Sequence, residues 1–411
     1  MEPKVVNNNY DTVSGKKMNR PLGKLWRSFK TDRDFSLFLI VGLFAGVASG
    51  INSTVFNNFL NDVYNLSASA RGIVEFPREL PGALIVVILA IISFLGDIRM
   101  SIVAMLLAAL GMVGLGIFSP TFSSMLIWMM VLSLGTHIFM PLSAGIGMTL
   151  SKKENFGARL GRYNAYNLIA TIIGYAIVGV GFKYFRLTYK IVFIIAAVSY
   201  VFAAVFLGLM NPRKPEVKKV KFVFRKKYTL YYILSVINGA RKQIFLTFAP
   251  WVLIQIYHVD PPTFAILGLI VSLLSIFTRT IVGNAIDIKG ERFVLSLEAI
   301  VLIVICLGYS FAADIAPTGV AIVIISACYI IDNSMSVVEM ARSTYVKKIA
   351  VDPEDVTPTL SAGTSFDHVI AMTIPFLGGI LWLTMGYKYV FLVAAFIALI
   401  NLFLTMKIKV D

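Results

Sequence analysis

Residues 211–227 read NPRKPEVKKVKFVFRKK and divide the chain into two apolar halves. This segment carries eight basic residues and a single acid, Glu216, so it is predicted to be a solvated linker and not a membrane span. The flanking regions, 35–210 and 228–407, contain 176 and 180 residues. Two apolar halves of nearly equal length on either side of a basic loop indicate an internal duplication.

The composition of the whole chain is that of an integral membrane protein. Of its 411 residues, 58% are hydrophobic and 14% are charged, and the mean hydropathy is +0.81. Soluble domains average ~45–50% apolar and ~25% charged residues. A water-soluble globule, a disordered chain and a nucleic-acid binder are therefore excluded. Cys306 and Cys328 both lie in apolar runs, so no disulfide framework is indicated.

Runs with few charges predict the membrane spans, because a helix crosses the ~30 Å hydrocarbon core with ~20 residues. In the first half they lie at 35–61, 68–96, two within 100–151 divided at Ser119-Pro120, 163–182 and 191–212. In the second half they lie at 228–257, 261–286, 291–313, 315–346, 356–385 and 389–406. We expect an all-α integral membrane protein with twelve transmembrane helices in two six-helix bundles, residues 35–210 and 228–407.

The distribution of Lys and Arg predicts the orientation in the membrane. The first 34 residues carry eight basic residues, as does the linker, and pairs such as Lys152-Lys153 fall on the same side. We expect a cytoplasmic basic tail at 1–34, a cytoplasmic linker at 211–227 and a cytoplasmic tail at 408–411. The location is then a plasma or inner cell membrane, crossed many times. Residues 22–30 have the pattern of a helix lying on the inner leaflet, with an unstructured tail as the alternative.

A short motif follows both the second and the eighth predicted span. The first copy is Leu95-Gly96-Asp97-Ile98-Arg99, and the second is Gly283-Asn-Ala-Ile-Asp287-Ile-Lys-Gly290-Glu-Arg292. Asp97 and Asp287 are 190 residues apart, and two pairs of lysines recur at a spacing of 195. These spacings indicate that the two halves are parallel repeats related by a pseudo-twofold axis.

The motif resembles the loop motif of the major facilitator superfamily, Gly-x-x-x-Asp-(Arg/Lys)-x-Gly-x-(Arg/Lys). The second copy matches at Gly283, Asp287, Gly290 and Arg292, whereas the first retains only Asp97 with nearby Arg99. The resemblance covers roughly residues 35–407. It implies that Asp97 faces the start of the eleventh span and Asp287 the start of the fifth, contacts that close the cytoplasmic side. The alternative is that these are ordinary polar loop residues.

Ionisable residues within the spans are candidates for function, since each costs about 2.5–3.5 kcal/mol at the centre of a membrane. The candidates for substrate binding are the cations, amides and aromatic ring Arg78, Arg241, Lys242, Asn52, Asn333 and Phe245. Buried carboxylates and imidazoles can take up and release protons near neutral pH. The candidates for proton coupling are therefore Glu79, Asp332, Asp367, His368 and His137.

Structural roles are the alternatives for the same residues. Arg71, Glu75, Arg78 and Glu79 share one helical stripe and could form only an internal ion-pair ladder. Each histidine could be a hydrogen-bonded packing residue. A metal site at His137 and His368 is not expected, because no ligand spacing indicates one.

These patterns favour a secondary transporter of a small organic solute, anionic or zwitterionic, that works by alternating access with proton coupling. Its expected partners are the solute, a proton or other coupling ion and the lipid bilayer, and we expect a monomer without a cofactor. Efflux of drugs or lipophilic cations by proton antiport is the alternative within transport. A non-transporting receptor or a lipid scramblase is the alternative of another class. An enzyme is not expected, since no nucleophile with a nearby base is visible.

Overall fold

The computed structural model describes residues 32–150, 156–211 and 223–409, and within these ranges the regular structure is helical, without β strands. The α-helices are α1 Arg33–Tyr64, α2 Ala68–Ala83, α3 Ile85–Ile92, α4 Asp97–Ile117, α5 Phe122–Thr149, α6 Phe156–Tyr184, α7 Tyr189–Gly208, α8 Thr229–Gln255, α9 Pro261–Ile315, α10 Thr318–Ser334, α11 Glu339–Ile349, α12 Val356–Met385 and α13 Tyr387–Thr405. The pattern at 22–30, Lys152-Lys153 and most of the tail and linker lie outside the described residues.

These helices account for twelve spans in the described ranges. Nine helical segments are long and apolar enough to cross a membrane on their own, and α2 with α3 forms a tenth that is bent by 44°. Helix α9 contains 55 residues and is interrupted at Gly290, so it counts as two spans. Helix α8 is also long enough to cross, but it carries Arg241 and Lys242 near its centre. The predicted fold class is confirmed.

The bend in the second span follows its prolines. Pro77 and Pro81 lie inside α2, and the helix ends at Ala83 before α3 begins. A proline removes a backbone hydrogen bond and clashes with the preceding turn, which bends a helix near this position. The first half of this span therefore tilts differently from the second half.

Glycines with positive φ mark the sharp turns between spans. Gly96 (φ 75°, ψ 158°) precedes α4, and Gly290 (φ 79°, ψ 168°) interrupts α9. This region of backbone conformation is essentially restricted to glycine. Because both glycines begin the third span of their half, Asp97 is the structural counterpart of Glu291. The predicted equivalence of Asp97 and Asp287 is wrong, because the sequence spacing placed the first copy four residues out of register.

Each half is a bundle with its own apolar core. In the first half α1 packs on α6 and α7, and α4 packs on α5 and α7. In the second half α9 packs on α10 and α13, and α8 packs on α12 and α13. We call the side at which α1 begins and α7 ends the linker side, where Asn211 donates to Asp34 at 3.2 Å. The opposite side is the far side.

The two halves are in contact from mid-depth to the far side. A β-carbon at Gly72 of α2 would lie 2.2 Å from the carbonyl oxygen of Pro375 in α12, so these helices touch through their backbones. Further towards the far side, Asn58 donates to the carbonyl of Val259 at 2.8 Å, and Gln255 donates to Asn61 at 2.9 Å. These contacts close the far side in this conformation.

The linker side has a different arrangement. Asp287, Arg99 and Arg292 are exposed. Arg159, which lies near the start of the fifth span, pairs with Asp32 of its own half at 2.5 Å. In this conformation Asp287 forms no ion pair with any described residue, Arg159 included. A gating role for these residues stays a prediction for the conformation that is closed on the linker side.

Candidate substrate pathway

Three adjoining cavities follow the seam between the bundles. The largest, of about 430 Å³, lies in the second half and is lined by Lys242, Asp367 and the exposed Glu339 on its linker side. A cavity of about 240 Å³ lies in the first half around Arg78 and Glu79. A third of about 240 Å³ shares Asn52 and Arg78 with the first-half cavity and Asp332 and Asn333 with the largest. The shared walls make one polar pathway that reaches the linker side.

Both cations of α8 pair with acids on neighbouring helices. The Arg241 guanidinium bonds to Asp332 of α10, and the Lys242 ammonium bonds to Asp367 of α12. Adjacent residues point ~100° apart on a helix, so each cation meets a different partner. The two pairs differ in access: the Arg241 and Asp332 side chains are 8% and 10% exposed, against 39% and 24% for Lys242 and Asp367.

The linker-side part of the largest cavity contains a second ion-pair network that was not predicted from the sequence. Arg342 of α11 lies 2.6 Å from Glu298 of α9 and 3.0 Å from Glu339. Arg342 and Glu298 are both almost fully buried. Each is a charge inside a predicted span, and this signal could have identified them.

In the first half, Glu75 connects the two bundles from a fully buried position. Its carboxylate lies 2.5 Å from Arg71 and 2.9 Å from Arg78, one turn along α2 on either side. It also accepts a hydrogen bond of 3.0 Å from Gln243 of α8. The expected ladder on α2 is therefore present, and it extends across the seam. Arg78 remains partly accessible to the pathway, with 28% of its side chain exposed.

Glu79 and two histidines form a separate cluster at mid-depth. Glu79 Oε2 lies 2.9 Å from Nδ1 of His368 and 3.9 Å from Nε2 of His137. The two imidazole rings meet edge to face, with 5.2 Å between their centroids. The cluster joins α2, α5 and α12, so it includes both halves of the molecule.

The remaining substrate candidates have unequal access to the pathway. Asn52 and Asn333 are half-buried and line the cavity between the halves. Asn333 also donates to the carbonyl of Tyr329 at 2.8 Å. Phe245 is only 2% exposed and packs edge-on against Tyr309 and Phe391 in the core of the second bundle. Its ring is chiefly a core side chain, with an edge at the cavity wall.

Two helical bundles around a polar pathway that is closed at one side define the architecture of a membrane transporter. The sequence model of the Major Facilitator Superfamily matches residues 38–366. The chain belongs to this superfamily, and membership supports secondary transport by a multi-pass membrane protein. No curated protein sequence matches the chain.

Solved structures show the same fold. A mutant of the nucleoside transporter NupG aligns with a TM-score of 0.76 at 13% identity, covering 91% of this chain and 99% of that one. A bacterial homologue of the human lysosomal transporter Spinster, inward-facing and occupied, aligns with a TM-score of 0.68 at 13% identity, covering 92% and 96%. A D-xylose-proton symporter aligns with a TM-score of 0.68 at 15% identity, covering 91% and 97%. Such low identities establish the fold alone.

Proposed function

We propose that this protein is a secondary active transporter of a small organic zwitterion, which works by alternating access and is coupled to protons. The observation that carries the proposal is the partly exposed ion pair between Lys242 and Asp367 in the second-half cavity of about 430 Å³. A zwitterion can replace each partner, with its carboxylate on Lys242 and its ammonium on Asp367. Neither charge is then left unpaired at membrane depth, where a lone charge is costly.

The charge balance of the pathway favours a zwitterion over a simple anion. Each of the cations Arg78, Arg241, Lys242 and Arg342 already contacts a carboxylate. An anion would have to displace one of these carboxylates and leave it without a partner, which costs more than an exchange of both partners.

Proton coupling is proposed at Glu79 and His368. Their hydrogen bond joins the first half to the second, so movement of the halves has to break or reform it. Breaking it changes the surroundings of both groups, and a changed environment shifts proton affinity. A proton can therefore bind in one conformation and leave in the other. Asp332, Asp367 and His137 remain further candidates for this role.

The eight basic residues of the linker support a cytoplasmic location for the linker side, by the positive-inside rule. On this orientation both termini are cytoplasmic and the conformation described above is inward-open. The glycine at 290 and the exposed charges Asp287 and Arg292 would then close the cytoplasmic side when the protein is outward-open.

The test is uptake into proteoliposomes with an imposed pH gradient, using a panel of labelled amino acids and betaines. We expect accumulation of at least one zwitterion, abolished in Lys242→Gln and in Asp367→Asn. Lys190→Gln is the matched control, because Lys190 is exposed at the far-side start of α7, away from the pathway. Gradient-independent uptake, or full activity in both pathway variants, would contradict the proposal.

Efflux of a cation is the second candidate, and the count of charges favours it over an anion carrier. Around the pathway, among the described residues, six carboxylates face five cations, an excess of one acid. The carboxylates are those of Glu75, Glu79, Glu298, Asp332, Glu339 and Asp367, and the cations are those of Arg71, Arg78, Arg241, Lys242 and Arg342. A cationic dye tests this candidate directly. Its export should survive Lys242→Gln and fail in Asp367→Asn, whereas a zwitterion carrier loses activity in both.

A further inference from the structure

We propose that Glu79, His137 and His368 form a binding site for a divalent transition-metal ion of the zinc type, which fastens the two halves together. One ligand atom from each residue lies within 4.8 Å of the other two. Two ligands come from α2 and α5 of the first half, and the third comes from α12 of the second. The three positions are far apart in sequence, which is why ligand spacing did not indicate them.

The distances between the donor atoms suit a small metal ion. Zinc binds imidazole nitrogen and carboxylate oxygen at about 2.0–2.2 Å, so tetrahedral ligands lie about 3.3–3.5 Å apart. The observed separations from Glu79 Oε2, 2.9 Å to His368 and 3.9 Å to His137, lie on either side of this value. Three protein ligands with a fourth position left for water are the arrangement of an open zinc site.

A hydrogen bond holds His137 in the form that a metal requires. Its Nδ1 lies 2.9 Å from the carbonyl oxygen of Ser133, to which an N–H there donates. In the neutral ring the lone pair then belongs to Nε2, the atom that faces Glu79. A lone pair opposite a carboxylate is repulsive, and a cation between them relieves the repulsion. A carbonyl that fixes the tautomer of a histidine is the usual outer support of a metal ligand.

The space for the two rings is created by Gly82. A β-carbon at this position would lie 2.7 Å from Cδ2 of His137 and 2.7 Å from Nδ1 of His368. Both rings therefore occupy the volume that any other residue at 82 would fill. Gly82 lies one turn after Glu79 on α2, so one helix face supplies the carboxylate and the room for both imidazoles.

Arg78 is the cation nearest to this cluster, and its position leaves the metal ligand free. It contacts the other carboxylate oxygen, Oε1 of Glu79, at 3.3 Å, and the fully buried Glu75 at 2.9 Å. Its positive charge is therefore shared between two acids. Oε2 of Glu79 remains directed at the histidines.

A ligand set drawn from both halves binds metal only while these parts of the halves are together. The ion therefore stabilises the conformation that is open on the linker side, by its difference in affinity for the two conformations. Inhibition of transport follows if the proposed function is correct. Metal binding itself does not depend on that function and can be measured without transport.

The test is titration of Zn²⁺ into the purified full-length protein carrying a histidine-free affinity tag, followed by calorimetry and thermal unfolding. We expect one ion per chain, a rise of several degrees in Tm and reversal by EDTA. His137→Ala and His368→Ala should each weaken binding at least tenfold. Gly82→Ala should do the same without removing a ligand. His258→Ala is the matched control: His258 is the third histidine of the chain and lies in the loop before α9, so binding should be unchanged.

Two results would overturn the site. One is the absence of saturable Zn²⁺ binding by the wild-type protein. The other is equal binding by the wild type, His137→Ala and His368→Ala, which would place the ion elsewhere, for example at Cys306 or Cys328. The metal-free Tm of each variant shows whether it is folded. If Zn²⁺ binds but does not inhibit proton-driven uptake, the claim that the ion fastens the two halves together is overturned. If Zn²⁺ binds but no proton-driven uptake is found with any substrate, the metal site stands and the proposed function fails.

Discussion

Arg241 is buried, and Asp332 provides the ion-pair partner of its guanidinium. Two charges in a low-dielectric environment tolerate burial as a pair, while either one alone carries an uncompensated desolvation penalty. The same guanidinium lies 5.4 Å from the ring centroid of Phe245, a cation–π distance. At the residue scale we therefore propose that this pair is part of the framework of the pathway, and that the accessible pair of Lys242 and Asp367 is the one that binds the substrate.

Removal of one member of the buried pair should therefore be harmful, and removal of both should be tolerated. We expect Asp332→Ala to lower the free energy of unfolding by about 3–5 kcal/mol and Arg241→Met/Asp332→Leu to recover most of that loss. Thermal unfolding in detergent measures both. Asp314→Ala is the control, since Asp314 pairs with Lys388 at an exposed position and should change stability by at most about 1 kcal/mol. Equal destabilisation by the single and double variants would contradict this account.

A pH-dependent contact lies outside the membrane, where Asp355 meets the residues before α8. Tyr228 donates to its carboxylate at 2.6 Å, and Arg225 lies 2.8 Å away. The Tyr228 hydrogen bond, followed by the charge of Arg225, lowers the pKa of Asp355 below its ordinary value of 3.8. Since the folded pKa is lowered, the stabilisation is present above the unfolded pKa and is lost as the pH falls through the folded one.

The variant Asp355→Asn should accordingly be less stable than the wild type near neutral pH. The difference in Tm should shrink as the pH falls from about 4 towards the lowered folded pKa, because the carboxylate is protonated first in the unfolded chain and only at lower pH in the folded protein. Thermal unfolding between pH 7 and pH 3 measures it. Asp352→Asn is the control, as Asp352 contacts Arg225 at the surface. A Tm difference that stays constant with pH would show that the charge of Asp355 has no part in the effect.

The identity of the charged candidates was visible in the sequence, but their partners were not. Asp332, Asp367 and Glu79 are all carboxylates within predicted spans, yet which of them meets Arg241 or Lys242 depends on how each helix is rotated. Hydropathy does not determine that rotation. The cluster of Glu79, His137 and His368 depends on three rotations at once. Phe245 follows Arg241 by one helical turn. Because the rotation of α8 was not known from the sequence, the packing of the Phe245 ring in the core was not predicted.

At the scale of the element, the sharp returns between spans depend on backbone conformation. Gly96, Gly290 and Gly386 have φ values of 75°, 79° and 98° where one span ends and the next begins. The spans themselves were predictable from the gaps between charges, since lipid enforces helices of known minimum length. The register of the repeated motif was not predictable from Asp97 and Asp287. The two copies are aligned by the positive φ of Gly96 and Gly290, and this backbone conformation cannot be read from the spacing of the acids.

The two motif glycines of the second half should therefore respond differently to alanine. Gly290→Ala forces a side chain into a conformation restricted to glycine and should cost about 1–3 kcal/mol. Gly283→Ala lies in a helix where a β-carbon meets nothing within 4 Å, so it should be neutral or slightly stabilising. The Tm values of the two purified variants, compared with that of the wild type, test this difference. A Gly290→Ala protein as stable as the wild type would mean that the turn does not need its positive φ.

At the scale of the whole molecule, the closed far side and the accessible linker side are one of the two states that alternating access requires. Backbone contact between α2 and α12 at Gly72 closes the far side, and the pathway reaches Glu339 on the linker side. Transport requires a second state in which the far side is open and the linker side is closed. The charges of Glu79, Lys242 and Asp367 face this seam, as a pathway between the halves demands.

The most direct test of alternating access is to measure distances between pairs of spin labels by double electron–electron resonance, with the protein in lipid nanodiscs. One pair, at Met148 and Glu354, reports on the linker side. The other pair, at Val63 and Met385, reports on the far side, and all four positions are exposed. Cys306 and Cys328 are replaced by alanine in both labelled proteins, so that only the introduced cysteines react with the spin label. With pH change or a transported zwitterion, we predict a second population in which the linker-side distance shortens and the far-side distance lengthens. A single unchanged population at both sides, or distances that shift in the same direction, would contradict alternating access.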